Sequence, residues 1–237
     1  MKQRIWELDA FRGLCLIGMI GVHLVYDLTV LYRLVTWEPP DIFVFVQRWG
    51  GLLFLLLSGI CVTLGSRSVR RGIIVFAAGL IVSAATYGMY RFGFADKSIL
   101  IYFGVLHCLG VCMLLWGCFR KLPWWALAIL GCGLAALGHY FLTLTVENPW
   151  LFPLGLETKN FVTSDYFPIL PNLGYFLIGA ALGKTLYRRK ETLLPQVNPR
   201  NPIVRVLQWM GRHSLWIYLL HQPILNGICM LIMEATK

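Results

Sequence analysis

Apolar stretches alternate with short polar connections along the whole chain. Seven of the stretches are long: residues 11–32, 49–65, 73–90, 99–119, 124–144, 170–187 and 212–233. A bilayer core roughly 30 Å thick takes about 20 apolar residues in a helix that rises about 1.5 Å per residue. Each stretch therefore predicts one transmembrane helix. Turn and charge signals separate them, as at Glu38-Pro39-Pro40, Ser66 to Gly72 and Arg120-Lys121-Leu122-Pro123. Two longer connections run over 145–168 and 188–211. The first stretch follows basic residues, as in a signal peptide. However, Glu7 and Asp9 intervene, the run is longer than a signal's apolar region, and no A-x-A-like cleavage site follows, so a retained first helix is expected. The predicted fold is an all-α polytopic membrane protein of about seven transmembrane helices. It forms a single transmembrane domain over residues 1–237, without an internal repeat.

Composition agrees with this reading and excludes an ordinary soluble fold. Hydrophobic residues make up 58% of the 237 residues and charged residues 14%, and the mean hydropathy is +0.68. A net charge of +10 would suggest nucleic acid as the partner of a soluble chain, but here its placement points to membrane topology and no nucleic acid is expected. Cytoplasmic loops carry the excess of Lys and Arg. With the amino terminus inside, the inner side takes Lys2, Arg4, Arg12, Arg67, Arg70, Arg71, Arg120, Lys121, Lys184, Arg188, Arg189, Lys190, Arg200, Arg205 and Arg212. Arg33, Arg48, Arg91, Lys97, Lys159 and Lys237 fall outside, a split of 15 against 6. The expected orientation is amino terminus cytoplasmic and carboxyl terminus extracytoplasmic, in a multi-pass protein of the plasma membrane.

The seven cysteines lie inside apolar runs without CxxC or zinc-like spacing, so small buried thiols are expected, with neither a disulfide framework nor a metal site. Gly179 and Gly183 form a small-xxx-small pair, and Gly131, Ala135 and Gly138 a similar set. Such residues let helices approach closely in lipid.

Ionisable side chains at membrane depth are costly, so each is a candidate for function. The first stretch holds Arg12, His23 and Asp27. Eleven positions turn a helix three times plus about 20°, which places Arg12 and His23 on one face, separated by about 16 Å along the axis. Asp27, at i+4 from His23, is within side-chain reach. A carboxylate one turn from an imidazole suits a general base, by fixing its tautomer and supporting its protonated form. A histidine serving only as interhelical glue is the alternative. His107 and His221 lie in other stretches, and His221 precedes Pro223, where a local kink is expected.

These residues resemble a known pattern. Arg4 to Asp27 reads RIWELDAFRGLCLIGMIGVHLVYD and resembles the opening of the heparan-alpha-glucosaminide N-acetyltransferase catalytic-domain family of membrane-bound acetyltransferases. LLFLLLSG (Leu52 to Gly59), SDYFPILPNLGYFLIGAALG (Ser164 to Gly183) and GRHSLWIYLLHQPIL (Gly211 to Leu225) are similar to further family segments. The Arg12-to-His23 spacing also resembles the broader membrane acyltransferase superfamily, whose members move acyl groups from cytosolic acyl-CoA to acceptors across the membrane. The resemblance implies acetyl-CoA as donor substrate, no metal, and a sugar or glycan acceptor at the outer face, modified at an amine or hydroxyl. It also admits a homodimer. On this reading His23 and Asp27 are catalytic, and Arg12 and Arg212 hold the CoA phosphates. His107, Asp165, Asn172 and His221 serve the acceptor, and Trp37, Trp150, Tyr166 and Phe167 are available for sugar stacking. The competing functional class is a proton-coupled small-molecule transporter that uses the intramembrane His and Asp residues as a relay. A third is a membrane scaffold with the polar residues as glue.

Overall fold

The computed structural model describes residues 4–235, so Lys2 and Lys237 of the charge split lie outside the described residues. The described residues are helical, without a strand. The first helix, α1 (Trp6–Tyr26), runs on into a π-helical turn, Asp27–Leu31. There follow α2 (Asp41–Leu64), α3 (Ser68–Arg91), α4 (Val105–Phe119), α5 (Trp124–Phe141), α6 (Ile169–Leu186), α7 (Pro202–Arg212) and α8 (Ser214–Ala235). Among the described residues, six helices are long and apolar enough to cross a membrane: α1 with its π turn, α2, α3, α5, α6 and α8.

The stretch at 99–119 departs from expectation. Its helix, α4, begins only at Val105 and has 15 residues, a length of about 22 Å. The cause lies in what precedes it. A short 3-10 turn ends at Ile99, and residues 100–103 are held outside a helix by bonds to the 163–167 segment. Ser164 N–H donates to the Leu100 carbonyl at 3.1 Å and Phe167 N–H to the Phe103 carbonyl at 3.0 Å. The Thr163 hydroxyl adds a bond to Leu100 O at 2.7 Å, and the Ser83 hydroxyl one to Ile101 O at 2.5 Å. Irregular backbone in an apolar protein survives where other protein groups satisfy it, as they do here.

The chain divides into two compact units. One is built from both ends of the sequence, up to Phe54 and from Lys190 onward, and the other from Leu55–Arg189. The second unit centres on α6, where Phe176, Leu177 and Ala180 are fully buried. Two sets of small residues bring helices onto it. A methyl group on Gly131 of α5 would lie 2.8 Å from the Gly174 carbonyl. A methyl on Gly179 would run into the Leu56 carbonyl of α2, while one on Gly59 would meet Phe176 O. Backbone-to-backbone contact of this kind gives dense packing where lipid supplies no hydrophobic drive between helices. The small residues singled out in the sequence therefore do pack helices.

In the first unit the 188–211 connection holds a helix that span counting overlooks. Asn201 caps α7 through Oδ1, which accepts from Ile203 N at 3.0 Å, and Pro202 occupies the first turn, where its missing N–H costs nothing. α7 has 11 residues, too few to cross a bilayer, and apolar and polar positions alternate at helical spacing. It lies antiparallel to α1 at very close range: a methyl on Gly13 would meet Leu207 O, and one on Gly211 would meet Asp9 O.

Candidate functional site

At the start of α1 a single carboxylate collects three arginines. Asp9 is nine-tenths buried. Its Oδ2 lies 3.3 Å from Arg4 Nε and 3.7 Å from Arg212 Nε, while Oδ1 lies 3.7 Å from Arg12 Nη1. The close α1–α7 approach makes this possible, because Gly211 lets α7 sit against the Asp9 backbone and deliver Arg212. Arg12 and Arg212, assigned from sequence to the same ligand, thus meet at one carboxylate. Arg212 is oriented further by Gln208, whose Oε1 accepts from Nη2 at 2.7 Å, while Gln208 Nε2 donates to Pro199 O at 2.9 Å. Glu7 has a different task. Its carboxylate accepts from the Thr192 hydroxyl and from Leu193 N–H, both at 2.8 Å, and ties the 192–193 segment to α1.

Three turns along α1, His23 meets His221 of α8, with ring centroids 4.9 Å apart at 76°. The tautomers of both follow from their backbone partners. His23 Nδ1 lies 2.9 Å from Met19 O, and His221 Nδ1 lies 2.6 Å from Tyr218 O. A carbonyl oxygen can only accept, so Nδ1 carries a proton in each ring, and in the neutral ring Nε2 holds the lone pair. His221 is nine-tenths buried and its Nε2 has no hydrogen-bond partner. His221 serves the Tyr218 carbonyl, and not that of Leu219, which Pro223 deprives of its helical donor.

Asp27 keeps the one-turn spacing from His23 that the sequence suggests, while its carboxylate is hydrogen-bonded from α8. It opens the π turn, is fully buried, and accepts from Gln222 Nε2 at 3.1 Å on both oxygens. Asp27 keeps α-helical dihedrals and its N–H donates to the His23 carbonyl, and the Met19 carbonyl, not the Asp27 carboxylate, is the hydrogen-bond partner of His23 Nδ1. A second tie across the same helices joins the Tyr32 hydroxyl to Asn226 Oδ1 at 3.2 Å. π turns of this kind are frequent at functional sites.

His107, Asp165, Asn172, Tyr166 and Trp150 belong to the second unit, whereas Trp37 falls in the first. His107 Nδ1 accepts from Gly104 N–H at 3.2 Å, so Nε2 bears the proton and faces Ser83 Oγ at 3.5 Å. This is the opposite tautomer to that of His23, and Phe76 and Phe103 enclose the ring. Asp165 Oδ2 accepts from Val105 N at 3.1 Å and so caps α4. Asn172 Nδ2 donates to Pro168 O at 2.7 Å. Tyr166 packs edge-on against Phe161 and donates its hydroxyl to Phe152 O at 2.6 Å. Burial raises the Tyr166 phenol above its ordinary range, with the Glu157 charge adding to the shift. Burial also raises the Glu157 carboxyl itself. Trp150 is largely exposed.

Sequence reasoning missed Asp9, Gln208 and Gln222. Asp9 stands at i−3 from Arg12, a spacing that signals a helical ion pair, and the amphipathic period of 202–212 signals α7. Nothing local marks Gln222 as the partner of a residue 195 positions away. No cluster of three or more His, Cys, Asp or Glu among the described residues has metal-holding geometry, and no disulfide joins any of the seven cysteines.

Residues 4–223 match the family described as heparan-alpha-glucosaminide N-acetyltransferase, catalytic. The chain belongs to this family. The match takes in the arginine cluster at Asp9, the His23–His221 contact and the Asp27–Gln222 pair. No curated protein matches the chain, and no solved structure does. Family membership and the six long apolar helices together indicate a membrane acetyltransferase.

Proposed function

We propose that this protein is a seven-span plasma-membrane acyltransferase that moves an acetyl group from cytosolic acetyl-CoA to an amine or hydroxyl of a sugar or glycan at the outer face. One observation carries the reading: in a chain of this family, the first helix presents a histidine whose Nδ1 is committed to Met19 O and whose Nε2 is a lone-pair base. His23 Nε2 takes the proton from the acceptor as its heteroatom attacks the thioester carbonyl. The C–S bond breaks, and the proton passes from His23 to the departing sulfur, giving CoA thiol. Arg12 and Arg212 hold the CoA phosphates near the inner surface, with the amino terminus cytoplasmic and the carboxyl terminus outside. The rise from Arg12 to His23 is about 16 Å, within reach of an extended phosphopantetheine arm.

Asp27 supports this histidine electrostatically from the next turn, while its position depends on Gln222. His221 lines the same place from α8 with its own lone pair. His107, Asp165 and Asn172 act in this reading as the scaffold of the second unit, because their polar atoms are engaged with backbone.

The test is turnover of acetyl-CoA by the full chain in nanodiscs, read as released CoA with and without candidate aminosugar and glycan acceptors. The unaltered protein hydrolyses acetyl-CoA slowly alone and faster with its acceptor. His23→Ala abolishes both while the protein still folds, since the change removes a base at a partly exposed position. Near-normal turnover by His23→Ala removes His23 from the chemistry.

A further inference from the structure

The arrangement at the start of α1 is unusual for a simple helix tie. Three guanidiniums surround one carboxylate, so the cluster carries three positive charges against one negative. The contacts are ionic without being hydrogen bonds, and Asp9 Oδ2 has no hydrogen-bond partner. Asp9 therefore places the arginines without consuming their donors. Each guanidinium has five N–H donors in a planar fork suited to phosphate oxygens. Among the described residues only Arg212 spends one on a side chain, that of Gln208.

The three arginines come from different places: the segment before α1, α1 itself, and the end of α7. An ordinary tie of α7 to α1 needs only Arg212, since Gly13 and Gly211 already give the helices close contact. Arg4 contributes nothing to that packing, with a side chain 69% exposed. Its approach to Asp9 leaves the fork open to solvent.

We propose that Asp9 is a positioning residue of the donor site, gathering Arg4, Arg12 and Arg212 into one phosphate cradle that reads the nucleotide end of an acyl-CoA. This rests on the acyl-CoA reading above and adds a specificity to it. A donor carrying a phosphorylated adenosine diphosphate is selected over a thioester on a bare pantetheine arm. The arginines share one carboxylate, so loss of Asp9 releases all three forks together and lowers their joint hold on clustered phosphates.

The experiment compares two donors with the full chain in nanodiscs: acetyl-CoA, and S-acetyl-pantetheine, which has the same thioester and no phosphate. Asp9→Asn raises the KM for acetyl-CoA about tenfold and leaves kcat within about twofold, the pattern of lost ground-state binding. The KM for S-acetyl-pantetheine does not move. Arg4→Gln raises the acetyl-CoA KM about threefold with the same selectivity, a size expected for one exposed charged contact. Arg205→Gln, on α7 but outside the cluster, changes neither donor.

A tie between helices and nothing more predicts equal changes for both donors, and that result overturns the proposal. An unchanged acetyl-CoA KM in Asp9→Asn also overturns it. Should Asp9→Asn fail to fold, Arg4→Gln decides alone, and an unshifted acetyl-CoA KM there overturns the cradle. Turnover of neither donor by the unaltered protein removes the acyltransferase reading itself, and the cradle with it.

Discussion

Gln222 offers the sharpest test of how the His23 region is held. The Asp27 carboxylate is fully buried, and Gln222 Nε2 is its hydrogen-bond donor, 3.1 Å from each oxygen. Gln222→Ala strips that donor and leaves a buried carboxylate unsatisfied, at a cost of about 2–3 kcal/mol. In a chain of this size a loss of about 2 kcal/mol lowers Tm by about 4–8 °C. Truncation also removes packing, so the pair is isolated with a double-mutant cycle using Asp27→Leu. The expected coupling is about 2 kcal/mol, measured by thermal unfolding of the full chain in one detergent. A coupling below about 0.5 kcal/mol would refute the clamp. Nitrogen NMR of the His23 ring adds an independent reading. Asp27→Leu leaves the proton on Nδ1, because the Met19 carbonyl holds it. A flip to the Nε2–H tautomer would show that the carboxylate, and not the backbone, decides which nitrogen is the base.

Two further outcomes are expected. Gly179→Val forces a side chain into the Leu56 carbonyl, so it should cost about 1–3 kcal/mol and lower Tm, whereas Gly133→Val, with nothing within 4 Å, should leave Tm nearly unchanged. Reporter fusions at Ser68 and Arg189 should report cytoplasm and a fusion at Lys159 the outside; one reversed site would break the seven-span orientation.

The linear chain determined its solvent, most of its helices and its family. Each of those rests on short-range properties: a run of apolar residues long enough for a bilayer, small residues four apart, a motif read in order. The prediction of close helix packing at Gly131, Gly179 and Gly183 held because absence of a side chain is a local fact. Tertiary structure decided the partners. Asp27 at i+4 from His23 satisfies the spacing for a dyad, yet the hydrogen-bond donor to its carboxylate is a glutamine 195 residues away on α8. His23 and His107 look alike in sequence but carry opposite tautomers, because one faces a carbonyl and the other a backbone N–H. α4 begins at Val105, not near residue 99, because the 163–167 segment claims the preceding carbonyls. Asp9 adds Arg212 to Arg4 and Arg12 because two glycines let α7 lie against α1. A hydrogen bond is short and directional, so its partner is set by where distant backbone arrives in space, and spacing along one helix specifies only which groups are within reach.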